Sequence, residues 1–265
     1  MHESRSNSTA TYLYGIARGL RKGLPALPAV GDSGTGIRAI EGDSCLAIVS
    51  DAPGSFVEAA AGDLQRHSDV LQELLGRTAA LVPLRFGTVY PDDETLRRDL
   101  LEARRDELEA LLQRVENRVE ARLKAFYVEE SVLAEIVAEQ PQIAGLRQRT
   151  QALPADATYY DRIRLGELVA SALEAKRRRD GQGMLAHLAP MAVDHVVEEE
   201  PHEWALLTAS FLLERSAVDD FHSAVSSVAD DAEQRVQVRC VAPLPPYSFV
   251  SVQLTPSEPE AAWAS

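Results

Sequence analysis

Val119–Tyr127 reads Val-Glu-Ala-Arg-Leu-Lys-Ala-Phe-Tyr, and its period decides the fold. Val119, Ala121, Leu123, Ala125 and Tyr127 alternate with Glu120, Arg122, Lys124 and Phe126. A period of two sends successive side chains to opposite faces, so the stretch predicts a half-buried β-strand. The residues before it repeat at helical spacing. Leu96, Leu100, Ala103, Leu108, Leu111, Leu112 and Val115 form one stripe, in a long helix that starts at Pro91-Asp92-Asp93. Asp93–Arg97, Glu94–Arg98 and Arg105–Glu109 are its expected surface pairs. The switch of period places a domain boundary near Glu116.

Downstream, Glu129–Glu139 and Gln142–Gln151 read as helices separated by Pro141, and another long helix starts at Pro154-Ala155-Asp156. Asp180-Gly181-Gln182-Gly183 is expected to weaken or break that helix. Helical spacing then continues through His195 and Val196, with a kink at Pro190. His202–Leu213 reads as a strand, Val218–Val228 as a helix and Arg235–Val241 as a strand. The order is strand, helices, strand, helix, strand. One more strand completes the βαββαβ order of a ferredoxin-like antiparallel sheet with helices on one face.

Upstream, Thr11–Ala17, Ile37–Ile40, Cys45–Ser50 and Ala79–Leu84 read as strands. Gly42 supplies hairpin chemistry in the Glu41–Ser44 link. A helix from Phe56 carries Val57, Ala60, Ala61, Leu64, Val70, Leu71, Leu74 and Leu75, and Gly76 reads as its C-terminal cap. The fold class is therefore α+β in two domains, with these boundaries: 1–10 a flexible N-terminus, 11–115 an N-terminal α+β domain, 116–250 a ferredoxin-like domain with long helices, and 251–265 a flexible tail.

Composition narrows the function classes. The 265 residues carry a formal net charge of −14, which repels phosphate backbones and disfavours nucleic acid as a partner. The two cysteines, Cys45 and Cys240, sit in apolar runs and form neither a disulfide scaffold nor a zinc pattern, as expected in a reducing compartment. The polar N-terminus lacks a secretory signal, and no stretch approaches the roughly twenty apolar residues of a membrane span. A cytoplasmic location follows as an expectation.

The search for chemistry finds no Gly-rich phosphate loop and no nucleophile elbow. His187, His195 and His202 lie near Glu198–Glu200, but Pro190 and Pro201 interrupt the spacing that metal ligation needs. His67 at a helix edge reads as a hydrogen-bonded structural residue. The basic run Lys176-Arg177-Arg178-Arg179 either offsets a helix C-terminus or docks an acidic partner, and the first reading is favoured. No catalytic residue, cofactor site or metal site is assigned.

Two segments remain, Val82–Val89 (VPLRFGTV) and Pro243–Val250 (PLPPYSFV). The first resembles the P-L-R-F-G-T segment of the gas vesicle protein F/L family. The second resembles that family's C-terminal G-P-W-P-P-Y-S-F motif. His67-Ser68-Asp69-Val70-Leu71 is similar to its upstream helix, and Tyr12 with Tyr14-Gly15-Ile16 to its opening Y-x-Y-G-I strand. Ala242 stands where the family usually has Gly, and Leu244 where it often has Trp. The landmarks span residues 11–250.

The resemblance implies a non-enzymatic accessory protein that binds the small gas vesicle shell protein, and other accessory proteins, during nucleation and assembly. It also implies a two-domain α+β design. A ferredoxin-like small-molecule enzyme or regulator, or a helix-based scaffold, is the alternative. Arg85, Phe86, Gly87, Pro245, Pro246, Tyr247 and Phe249 are the landmark side chains. Arg85 is expected to pair with an acid, Phe86 to pack at a tight turn, and Tyr247 and Phe249 to point the same way on a strand. Locking the fold is favoured over direct partner contact for these residues.

Overall fold

The computed structural model describes residues 10–32, 36–52, 61–232 and 235–252. It divides into two compact units, 1–119 with 244–265 and 120–243. The sequence keeps 116–250 together. The structure instead counts Leu244 onward with the first unit, because Val250 and Val252 pack against that unit's core. The segments expected to be flexible fall almost wholly outside the described residues, as does the helix start at Phe56–Ala60.

The first unit is built on β1 (Thr11–Arg18), β2 (Arg38–Glu41), β3 (Leu46–Asp51), β4 (Ala80–Pro83) and β5 (Val89–Tyr90). The strand order is β2-β3-β1-β4, with β5 also pairing with β1, and β1 runs antiparallel to β3, β4 and β5. β1 is central and buried from Thr11 through Ala17. Its register slips between Leu13 and Gly15. A Cβ on Gly15 would lie 2.9 Å from the carbonyl oxygen of Val82, so glycine lets β4 approach.

Helix α1 (Ala61–Arg77) packs on β1 and β4 through Val70, Leu71, Leu74 and Leu75, while Leu64, expected in the same stripe, is exposed. The helix runs one residue past Gly76, and Thr78 closes it by donating both its amide and its hydroxyl to the Leu74 carbonyl. Gly42 makes the β2–β3 link without a positive φ.

The single long helix expected after Pro91 is instead two helices. Asp92 caps α2 (Asp93–Leu96) by accepting from the Thr95 amide at 2.7 Å. Wider π turns follow over Arg97–Glu102, and α3 (Arg105–Arg114) restarts beyond Arg104. The extra residue in the π turn brings both Leu100 and Leu101 into the core that Leu108, Leu112 and Val115 complete. Glu94 stays near Arg98, while the other two expected pairs give way to longer-range partners. Arg38 and the Thr11 hydroxyl take Asp93, and Arg105 takes Asp43.

The second unit takes up the chain within β6 (Arg118–Tyr127), where Val119, Ala121, Leu123, Ala125 and Tyr127 are all buried. There follow α4 (Glu129–Glu139), α5 (Pro141–Ala152), α6 (Tyr159–Leu188), β7 (Asp194–Glu198), β8 (Ala205–Glu214), α7 (Val218–Asp231) and β9 (Val236–Leu244). The sheet order β7-β8-β6-β9 is the ferredoxin-like order, with three helices, α4, α5 and α6, where that order has one between its first two strands.

The strand missing from the sequence reading is β7, which falls where helical spacing was read through His195 and Val196. Pro190 ends the helix rather than kinking it, and a 3-10 turn over Ala189–Met191 leads into the strand. Conversely, Asp180–Gly183 does not break α6. Gly181 is buried, and its missing Cβ would sit 3.6 Å from the Leu206 carbonyl oxygen, so glycine brings the helix close to β8.

Candidate functional site

The landmark segments of the first unit meet at His67. Its Nε2 lies 3.1 Å from the Leu84 carbonyl oxygen, and its Nδ1 lies 2.8 Å from the Tyr12 hydroxyl. A carbonyl only accepts, so Nε2 carries the proton and Nδ1 accepts from Tyr12. The Tyr12 hydroxyl in turn accepts from the Gly87 amide at 3.3 Å. Tyr247, from the C-terminal segment, donates its hydroxyl to the Leu84 oxygen at 3.2 Å and lies 3.2 Å from His67 Nε2.

Aromatic rings enclose these bonds. The Tyr14 ring stacks on His67 with centroids 5.6 Å apart, and Phe86 meets both Tyr12 and His67 edge-on. The Tyr14 hydroxyl accepts from the Val30 amide and lies 3.2 Å from Ser50 Oγ. His67 is 2% exposed, and burial pushes its pKa down to about 4. Burial also raises Tyr12 and Tyr14, and pushes Tyr247 up to about 12. The cluster is therefore neutral over the whole physiological range.

Local sequence explains these positions. Arg85–Thr88 is a β-turn closed by the Thr88 amide and hydroxyl on the Arg85 carbonyl. Gly87 occupies its third position with φ +87, the region glycine enters without penalty. Arg85 itself is exposed and forms no ion pair with a described residue, contrary to expectation. At the other end, Pro245 and Pro246 are buried and stop β9 at Leu244. Tyr247–Phe249 is consequently a 3-10 turn and not a strand, so Tyr247 and Phe249 do not share a strand face. Phe249 is buried. Tyr247 keeps 41% of its surface exposed although its hydroxyl is engaged.

The second unit holds a charged cluster that the sequence reading missed. Lys176, 3% exposed, contacts Glu135 and Glu139 at 2.8 Å each. Arg235 pairs with Glu135 and Asp180, and Asp180 accepts from the Tyr127 hydroxyl at 2.8 Å. Burial works against the charge on Lys176, but its bonds to Glu135 and Glu139 hold its pKa above the ordinary range.

The basic run therefore lies inside α6 and not at a helix C-terminus, and much of its charge is met within the unit. Arg177 reaches the Ala205 and Glu203 carbonyls and Glu174, and Arg179 pairs with Asp180. No local pattern pairs Glu135 with Lys176 or Asp180 with Arg235, which are joined only by the fold.

The histidines considered for metal lie on separate elements. His187 is in α6, His195 on β7 stacks against Phe211, and His202 accepts from the Trp204 amide. Both cysteines are free thiols, and burial pushes Cys240 up to about 11.

These features define a two-unit α+β protein whose landmark segments build one buried, neutral polar–aromatic cluster. The family described as gas vesicle synthesis protein GvpL/GvpF matches residues 10–251, and the chain belongs to it.

The chain is 34% identical over 242 residues to gas vesicle protein F of a Streptomyces species, covering 91% of this chain and 99% of that protein. It is 27% identical to gas vesicle protein F of a Nostoc species, covering 92% and 99%. The crystal structure of the gas vesicle protein GvpF from Anabaena sp. PCC7120 superposes with a TM-score of 0.76 at 25% identity, over 92% of this chain and 99% of that one. The GvpF structure from Microcystis aeruginosa shares the fold, with a TM-score of 0.75 at 19% identity over 92% and 100%. The family supports a gas vesicle accessory role and is not a known enzyme family. No helix among the described residues is long and apolar enough to cross a membrane.

Proposed function

We propose that the protein binds the small gas vesicle shell protein in the cytoplasm and assists nucleation or assembly, without catalysing a reaction. The observation that carries this reading is the apolar surface left on the second unit. Leu153, Tyr159, Tyr160 and Ile163 are between 45% and 83% exposed around the start of α6. Beside them, a mostly apolar groove of about 620 Å³ runs among α4, with Leu133 and Val137, α5, with Ile143 and Arg147, and α6, with Leu165 and Val169. Apolar area exposed in water is stabilised when a partner covers it.

On this reading the His67 cluster is structural. Its polar atoms are spent on one another, and its role is to fasten the C-terminal segment to the first unit. The test is binding of the purified protein to the shell protein, with Tyr160→Ser and Leu165→Asp as surface variants. Binding by the wild type that weakens in these variants supports the reading. A wild-type protein that does not bind the shell protein overturns it.

A further inference from the structure

Among the described residues β7 is an edge strand, paired with β8 alone. Natural edges are blunted by short strands, charged side chains, proline or a bulge. β7, Asp-His-Val-Val-Glu, is short and carries an acid at each end, but it has neither lysine nor proline, and its register with β8 is unbroken from Asp194↔Leu212 to Glu198↔Thr208. Val196 and Val197, which point to opposite faces, are 38% and 52% exposed, and Val193 just before them is 49% exposed. We propose that this edge accepts an extended segment of a partner protein as an added β-strand, one that carries basic residues on either side of an apolar centre.

The charges select that occupant. Asp194 and Glu198 stand on the same face as Val196, two residues to either side of it. Glu199, Glu200 and Glu203 follow, and Arg122 and Lys124 pair with Glu198 and Glu200. Asp194 already accepts from the His195 amide and Glu198 from the Ser210 hydroxyl. Asp194, Glu198, Glu199, Glu200 and Glu203 nevertheless outnumber Arg122 and Lys124, so the edge stays acidic. An incoming strand with Lys or Arg beside the two ends and an apolar residue beside Val196 adds favourable pairs. A second copy of this chain does not. Antiparallel self-pairing centred on Val196 sets Asp194 of each copy against Glu198 of the other, and in-register parallel pairing sets each acid against itself. Like charges directly opposite destabilise a strand pair. The edge thus repels its own copy and favours a basic strand.

The assignment rests on the reading that the protein works by binding other proteins. The test uses the full chain and a capped peptide of alternating lysine and valine, read by fluorescence anisotropy at low salt. A glutamate–valine peptide and a lysine–valine peptide N-methylated on alternate amides are the controls. The lysine–valine peptide should bind and slow amide exchange in β7. The glutamate peptide should bind at least roughly tenfold more weakly, and the methylated one should lose binding because it cannot complete the ladder. Val196→Lys should weaken binding roughly tenfold with the thermal midpoint unchanged.

Equal binding of the lysine and glutamate peptides would overturn the proposal, as would binding that Val196→Lys leaves intact or that Leu165→Asp removes instead. Wild-type self-association abolished by Val196→Lys would also overturn it, in favour of a second copy. If the shell protein binds wild type and Val196→Lys alike while the peptide binds neither, the edge assignment fails and the proposed function stands.

Discussion

The hydroxyl of Tyr247 lies 3.2 Å from Nε2 of His67, across 180 residues of sequence. The chain leaves the first unit after Val119 and rejoins it at Leu244, and this contact fastens the returning segment. Replacing Tyr247 by Phe keeps the ring and removes the hydroxyl. The expected loss is about 1 kcal/mol, the net worth of an ordinary hydrogen bond. His67→Ala should cost more, about 3 kcal/mol, because it opens a cavity beneath three aromatic rings and removes the hydrogen bonds His67 makes to the Leu84 carbonyl and the Tyr12 hydroxyl. Urea unfolding followed by tyrosine fluorescence measures both. Equal midpoints for Tyr247→Phe, His67→Ala and wild type would remove the cluster from the stability of the first unit.

The same histidine sets a pH dependence. In the unfolded chain it protonates near its ordinary value of about 6.5, and in the folded chain only near about 4. Between those values the unfolded state binds the extra proton, so stability falls as the pH drops through that window and the loss levels off below it. The full span is on the order of 3 kcal/mol. Comparing wild type with His67→Gln at pH 7 and pH 4.5 isolates the effect. The variant should show a shallower loss over this interval, and parallel curves would contradict the assignment.

Gly15 is a steric requirement of the sheet. A methyl group there meets a backbone oxygen at 2.9 Å, which cannot swing away as a flexible side chain can. Gly15→Ala should therefore destabilise the first unit by about 2 kcal/mol. Gly23 has open space around its missing Cβ but a φ of +72, so Gly23→Ala reports backbone strain alone, about 1 kcal/mol. Thermal unfolding of the pair separates the two effects, and a Gly15→Ala variant as stable as wild type would show that β4 can move.

Lys176 is a buried cation held by two carboxylates. Lys176→Ala leaves Glu135, among the described residues, with its ion pair to Arg235 and withdraws a packed stem, at a cost of about 3 kcal/mol to the second unit. Lys176→Met restores the stem and should recover part of that loss. Amide exchange in α4 and α6 distinguishes the outcomes. If Lys176→Ala leaves exchange there unchanged, the charged cluster does not tie the two helices together.

How far the sequence shows the fold depends on where burial follows a simple period. β6 is legible because one face is almost wholly apolar. The α1 stripe is legible from Val70 to Leu75, yet Leu64 faces solvent although it fits the helical spacing. β7 is invisible, because an exposed edge strand lacks the alternation of a half-buried one. The continuity of α6 through Gly181 is hidden as well, since the gain comes from close approach to β8, a contact no local pattern records. The landmark residues were legible as motifs, but their meeting at His67 was not, since it joins Tyr12, His67, Leu84, Gly87 and Tyr247 through tertiary structure alone. The sequence reads Tyr247 and Phe249 as strand neighbours, whereas Pro245-Pro246 end the ladder by removing two donors and a 3-10 turn follows.

Shell-protein binding is the proposed route by which the protein assists gas vesicle formation. The most direct measurement is a deletion strain complemented with tagged protein, scored for vesicles and for shell protein that co-purifies with the tag. The account predicts that vesicles are lost on deletion and restored by the tagged chain, and that the shell protein is recovered with it. Normal vesicles in the deletion strain, together with no shell protein on the tagged chain, would contradict it.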